Sequence, residues 1–149
     1  MNQDYKIQSL DTIEYLKWLH VWQQYQQFYQ ASIAEDVSIK TWEKLIEPTY
    51  TQMYGYAAVK DGVVMGIVHV IEHESCWTLK PYAYLQDLFV DPSERGQGVA
   101  RSLIEQVYTQ AMQRQCDRVY WLTQESNHLA QQLYDKVAKK TGFIQYKMI

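Results

Sequence analysis

The stretch of this 149-residue chain whose residue types and spacing could do chemistry runs from Tyr84 to Arg101. A strand-like run, Tyr84-Leu85-Gln86-Asp87-Leu88-Phe89-Val90, meets Asp91-Pro92-Ser93. The loop Glu94-Arg95-Gly96-Gln97-Gly98 then opens into the amphipathic sequence Val99-Ala100-Arg101-Ser102. Where a loop passes directly into a helix, the first N–H groups lack intrahelical partners and point the same way. With the positive end of the helix dipole they form a seat for a phosphate or pyrophosphate. Glycine at 96 and 98 keeps side chains from holding such an anion off the main chain, and Arg95 and Arg101 add positive charge. A lone G-x-G more often makes a plain turn before a helix, so the context matters. A Walker loop requires Lys followed by Ser or Thr after its last glycine, and a dinucleotide fingerprint requires Gly or Ala at 101, where Arg101 stands.

The run Arg95-Gly96-Gln97-Gly98-Val99-Ala100 resembles the R/Q-x-x-G-x-G/A acetyl-CoA signature of the GNAT superfamily of N-acetyltransferases. Asn127-His128-Leu129-Ala130-Gln131-Gln132-Leu133-Tyr134, read as N-x-x-A-x-x-L-Y, is similar to the second signature of that family. The resemblance extends from Tyr84 to Ile149, and the element order upstream is also the family's. Val119 to Asn127 together with Leu133 to Val137 looks most like the histone and polyamine acetyltransferase branch.

The resemblance implies an α/β fold, with antiparallel N-terminal strands, a splayed central parallel pair and helices on both faces of a mixed sheet. It implies acetyl-CoA as cosubstrate, with its pyrophosphate on the loop amides of Arg95, Gly96, Gln97, Gly98, Val99, Ala100 and Arg101, and with Ser102 and Asn127 nearby. The pantetheine arm would bond to main-chain groups of Leu88, Phe89 and Val90 that have lost their sheet partners. Transfer goes directly to an amine, so the amine must lose a proton and the leaving thiolate must be stabilised or protonated. Tyr134 fits the second role.

Read from the residues alone, Tyr134 lies seven positions after Asn127, about two turns along one helix face, and a phenol is a proton donor at neutral pH. A core tyrosine on an apolar stripe explains it equally well, and Asn127 can be a plain helix cap before Leu129. The general base is open. Some polyamine-acetylating relatives carry a glutamate immediately before the aspartate that here is Asp87; this chain has Gln86, whose amide cannot accept the proton. Alternation along a strand puts Asp87 on the opposite face from Gln86, in a structural role or against a cationic substrate. Asp87, Glu72 or Glu74 acting through a water, or no dedicated base, are the alternatives.

Other candidates are weaker. His69 and His73 are about 13 Å apart on a strand, too far to share a metal, and no metal site is expected. His20 and His128 fit helix surfaces. Glu35, Asp36, Glu43 and Glu47 would favour a cationic amine if they walled the acceptor cleft, but a solvated face is the simpler account. Tyr25, Tyr29, Trp42 and Trp77 could line that cleft through cation–π contacts, and core packing explains them as well.

These residues must be positioned by a sequence that is 47% hydrophobic and 21% charged, enough for one domain spanning residues 1–149 with a full core. A short strand is expected at Tyr5 to Gln8. Asp11 or Thr12 can then cap a helix carrying Tyr15, Trp18, Leu19, Trp22, Tyr25 and Tyr29. Ser38 can cap a second helix that Pro48 ends. Asp61-Gly62 signals a hairpin between strands Gly55 to Lys60 and Val63 to Ile71. After a loop from His73 to Pro81 come a strand, Tyr82 to Val90, and a helix from Val99 to near Cys116. A strand at Val119 to Thr123, a helix over Leu129 to Val137 and a final strand at Phe143 to Met148 complete the order.

Fourteen basic against 17 acidic residues give a net charge of −3, without the basic field that holds nucleic acid or anionic lipid. Cys76 and Cys116 fit reduced thiols, and Met1 to Lys6 shows no export signal, so a cytoplasmic, soluble protein is expected. The edge left by the last strand suggests a homodimer. Acetyl-CoA-dependent acetylation of a primary amine (a polyamine, another small-molecule amine or a protein lysine) is the leading function. A GNAT-shaped module that binds acyl-CoA without turnover is the alternative motivated by Gln86, and a regulator binding another nucleotide on the same loop is a third.

Overall fold

The computed structural model describes residues 4–149; Met1, Asn2 and Gln3, part of the stretch read above for an export signal, lie outside the described residues. Five strands form one sheet in the order β1-β2-β3-β4-β5: β1 Lys6–Ser9, β2 Met53–Lys60, β3 Val63–His73, β4 Tyr82–Val90 and β5 Arg118–Tyr120. The first four pair antiparallel and β5 joins β4 in parallel, so the sheet is mixed. Asp61 and Gly62 both have positive φ, 49° and 76°. That is the backbone a tight two-residue hairpin needs between right-twisted strands.

Helices cover both faces. Helices α1 (Tyr15–Phe28) and α2 (Glu35–Ile46) pack on one side, where Trp18, Val21, Trp22, Trp42 and Leu45 meet Ala57, Ile67 and Phe89. Helices α3 (Val99–Gln113) and α4 (His128–Val137) pack on the other. There Val99, Leu103, Ile104, Val107 and Ala111 meet Val68, Val70, Ala83 and Leu85, with Leu133 and Tyr134 at the margin. The period of these apolar positions, three to four in the helices and two in the strands, is what divides the core between the faces. Among the described residues, no helix is long and apolar enough to cross a membrane.

Several local expectations change. The cap at Asp11 or Thr12 is replaced by a short 3-10 turn, Leu10–Thr12, and α1 begins after Glu14 without a side-chain cap. Helix α2 begins at Glu35, which puts Ser38 inside it. There its buried hydroxyl accepts the indole N–H of Trp22 at 3.1 Å, joining the two helices rather than capping one. Strand β5 stops at Tyr120 rather than Thr123. The expected final strand, Phe143 to Met148, is absent: residues 138–149 have no regular structure, and Phe143, Ile144, Tyr146, Met148 and Ile149 are exposed. Alternation gives that segment a strand's pattern, but among the described residues no sheet edge pairs with it, and a strand without a neighbour has no ladder to form.

Leu103 is fully buried at the centre of the α3 face. Leu103→Ala should lower unfolding stability by about 2–5 kcal/mol in a urea titration. A loss below about 1 kcal/mol would show that α3 is not seated on the sheet as described.

Candidate active site

The site begins where β4 and β5 part. Their parallel pairing covers three residues on each strand, Tyr82–Tyr84 against Arg118–Tyr120. An aromatic clamp holds this end: Tyr84 stacks on Tyr120 at 5.0 Å between centroids, and the Tyr120 hydroxyl lies 2.7 Å from His73 Nε2. Beyond it β4 continues to Val90 paired, among the described residues, with β3 alone, while residues 121–124 leave the ladder. Leu88 and Val90 turn their main-chain N–H and C=O groups to this open side, whereas those of Phe89 face Ile67 in β3. The Val90 carbonyl takes the Arg95 Nε–H, which leaves the Leu88 groups and the Val90 N–H without the partners a complete sheet would supply.

A cleft of about 360 Å³ occupies this gap. Leu88, Phe89, Val90, Arg95, Gly96, Gly98, Val99, Ala100 and Arg101 line it from β4 and the loop, and Asn127 and Tyr134 from α4. Gly96 and Gly98 both have positive φ, 83° and 78°, so the turn into α3 uses a backbone conformation that other residues adopt at a cost. The first intrahelical bond closes from Ser102 N–H to the Gly98 carbonyl at 3.0 Å. Among the described residues, none of the main-chain N–H groups from Gly96 to Arg101 donates a hydrogen bond. Six consecutive unengaged donors at a helix N-terminus are a seat for a diphosphate.

Two of the expected loop contacts point elsewhere. The Gln97 side chain turns back on Glu94, donating to its carbonyl and its carboxylate, and the Ser102 hydroxyl pairs with Tyr5 at 2.8 Å. Neither lines the cleft. Arg95 folds inward: its Nε donates to the Val90 carbonyl, and the guanidinium lies 5.8 Å from the Phe89 ring centroid and 5.9 Å from that of Phe28. Arg101 pairs with Glu105. Both arginines line the cleft beside the unengaged amides.

Helix α4 starts at an Asn127 cap whose side-chain oxygen accepts the Ala130 N–H at 3.3 Å. The cap reading of Asn127 therefore holds, and the residue also lines the cleft. Two turns later Tyr134 packs edge-on against Trp121, 5.4 Å between centroids. Burial, with Tyr29 adding to it, pushes its phenol above the ordinary tyrosine range. The group is therefore a protonated donor across the neutral range.

Asp87 lines a second cavity of about 390 Å³ on the α1–α2 side, with Gln86, Trp22, Gln26 and Thr41; Tyr25 and Tyr29 border both cavities. Simple alternation would put Asp87 on the α3 face with Leu85. The register instead pairs His69 with Asp87 and Val70 with Leu85, leaving Gln86 as the extra residue of a β-bulge. The bulge turns Asp87 to the α1 face, so it and Gln86 line one cavity rather than opposite faces. The Tyr25 hydroxyl donates to one carboxylate oxygen at 3.0 Å, and His69 Nδ1 lies 3.0 Å from the other. From sequence, His69 is weighed as a metal ligand and Tyr25 as a cleft wall or a core-packing ring, neither as a partner of Asp87. No local signal announces a bulge, so their convergence on Asp87 was hidden.

The other carboxylates fall outside the cavity. Glu72 is bound by the Arg114 guanidinium and Glu74 is exposed, as are Glu35, Asp36, Glu43 and Glu47 on α2 and its end. Trp42 belongs to the core, and Trp77 is exposed.

Residues 8–138 match the Acetyltransferase (GNAT) family model. The chain is 33% identical over 149 residues to the D-amino-acid N-acetyltransferase HPA3 of Saccharomyces cerevisiae, covering 99% of this chain and 92% of that protein. Its fold is similar to aminoglycoside N-acetyltransferase AAC(6')-Iy solved in complex with CoA: TM-score 0.84 at 18% identity, over 100% of this chain and 97% of that one. It is also similar to a ribosomal-protein-alanine N-acetyltransferase from Brucella melitensis biovar Abortus 2308, with TM-score 0.75 and 17% identity over 97% and 98% of the two chains. The unengaged amides and the parted strands fit a CoA thioester, and the chain belongs to the GNAT acetyltransferase family, as an N-acetyltransferase that takes acetyl-CoA as cosubstrate and an amine as acceptor.

Proposed function

We propose that this enzyme acetylates a small primary amine recognised as its cation, and that the two cavities divide the work. The observation that carries this reading is Asp87: a carboxylate in the α1–α2 cavity, bordered by the rings of Tyr25 and Tyr29, with no lysine or arginine among the residues lining that cavity. Such a site attracts an ammonium group through charge and ring faces, and offers no cation to hold the carboxylate of a free amino acid. Polyamines and aminoglycoside-like amines suit it better than amino acids.

Acetyl-CoA supplies an activated acetyl thioester. The amides of Gly96 to Arg101 hold its diphosphate, Asn127 borders that seat, and the unpaired edge of β4 at Leu88 to Val90 orients the arm. Asp87 draws the ammonium toward Tyr25 and Tyr29, where the two cavities meet; the nitrogen then loses its proton and attacks the acetyl carbon. As the carbon–sulfur bond breaks, the Tyr134 phenol donates its proton to the leaving sulfur. Gln86 is not a base, so proton removal from the amine falls to Asp87 or to water in its cavity. The chain acts as one domain, and its free thiols, the exposed Cys76 among them, suit a reducing, cytoplasmic setting.

Turnover is measured as thiol release on mixing the protein with acetyl-CoA and a panel of polyamines, aminoglycosides and amino acids. The di- and polycationic amines should give the highest kcat/KM; a preference for amino acids would reject the acceptor class proposed here. Tyr134→Phe should lower kcat by about 100-fold with CoA affinity unchanged in calorimetry. An unchanged kcat would remove Tyr134 from the reaction.

We also propose a homodimer. The apolar residues Phe143, Ile144, Tyr146 and Met148 stand in water beyond α4, and β5 is a three-residue edge with β4 on one side only. A second copy that covers both would remove an exposed apolar segment and an open edge together. Sedimentation of the full chain should give the mass of two chains, and removal of residues 142–149 should shift it to one. A monomeric full chain would reject the arrangement.

A further inference from the structure

His69 is an unusual residue to find where it is. It sits in the middle of β3, 2% exposed, with the rings of Trp18 and Trp22 at 5.9 and 5.1 Å. Its two ring nitrogens have different neighbours. The Trp18 indole nitrogen lies 3.0 Å from Nε2, and Nδ1 lies 3.0 Å from the carboxylate of Asp87. An indole N–H can only donate, so Nε2 is an acceptor and carries no hydrogen. The ring proton therefore resides on Nδ1 and is donated to Asp87. A second proton would have to enter at Nε2, head-on against the Trp18 N–H, in a place closed to water.

From this we infer that Trp18 and His69 act together as a positioning pair, locking a neutral imidazole against Asp87 so that the carboxylate keeps its whole charge for the acceptor ammonium. The inference rests on the reading of Asp87 as the carboxylate that receives the acceptor. An imidazolium in the same place would form an ion pair with Asp87 and compete with the substrate; a neutral donor orients the carboxylate without cancelling it. The Tyr25 hydroxyl does the same from α1 on the other oxygen. Other titratable groups facing the pair are Tyr29 on α1 and Tyr84 on β4, phenols that burial and the Asp87 charge raise above their ordinary range. Helix α2 contributes Val37, Thr41 and Leu45 to the cavity and β2 contributes Met53, none of them charged. The charge of Asp87 therefore has no cationic neighbour in the cavity lining. Its side chain remains 15% exposed, open to a ligand at its remaining lone pairs.

Two readouts on the full chain test the pair. In wild-type protein, ring-nitrogen NMR of His69 at pH 7.5 should show the neutral tautomer protonated at Nδ1. A proton at Nε2 would overturn the inference. Trp18→Phe keeps an aromatic ring in the core and removes the indole donor, which frees Nε2 to take a proton. The variant-to-wild-type ratio of KM for a linear diamine should then rise about tenfold between pH 7.5 and 5.5, with the kcat ratio flat. Turnover with a pH-independent KM ratio overturns the pairing alone. Absence of diamine turnover by the wild-type protein removes the acceptor reading, and this inference with it.

Discussion

The separation of β4 from β5 after three paired residues is the constraint on which the rest of the structure depends. A parallel pair that continued would satisfy Leu88 and Val90 within the sheet and close the cleft. The sheet can open there because both sides are held elsewhere. Strand β3 secures the other edge of β4 as far as Val90, and stacking of Tyr84 on Tyr120 closes the paired end. The opening lies beside the N-terminus of α3, whose own fixed position comes from Leu103 and Val107 packed on the sheet. An unpaired strand edge and an unpaired helix end are each costly when buried. Placed side by side along one cleft, they become a continuous set of partners for one extended ligand carrying a diphosphate and an amide-bearing arm.

The second cavity depends on a different local irregularity. A bulge at Gln86 reverses the facing of every later residue in β4, which moves Asp87 from the α3 side to the α1 side and still lets Phe89 and Val90 reach the core. Helix α1 answers with Tyr25 and Tyr29 four residues apart, on one face of the helix. One tyrosine bonds Asp87, and both border the two cavities. The aromatic packing of Trp18, Trp22 and Trp42 beneath them fixes the helix pair that forms the wall.

How much of this was legible follows from the range of the forces involved. The hairpin at Asp61-Gly62, the limits of β4 and the glycine loop were readable, because backbone requirements at single residues write them into the sequence. Tyr134 and Asn127 were placed on one helix by spacing alone. Asp87 was picked out, but its partners were not: the bulge that brings His69 and Tyr25 to it depends on the β3–β4 register, a long-range property without a local mark. Ser38 was misread as a cap for a related reason, since the Trp22 indole that occupies its hydroxyl comes from another helix. The segment at Phe143 has the alternation of a strand, yet pairing needs a neighbour as well as a pattern, and among the described residues none pairs with it. Gln97 and Ser102 sit within the signature but spend their side chains on Glu94 and Tyr5.

The central claim is that unengaged amides at the start of α3 and the open edge of β4 together receive the cosubstrate. Titration of CoA into isotope-labelled protein, followed by amide NMR, reads those groups one by one. The account predicts the largest shifts at Gly96 to Arg101 and at Leu88 to Val90, moving together with a single affinity. Saturable binding that leaves both stretches unmoved, with its shifts in α2 or at the β1 edge, would contradict it.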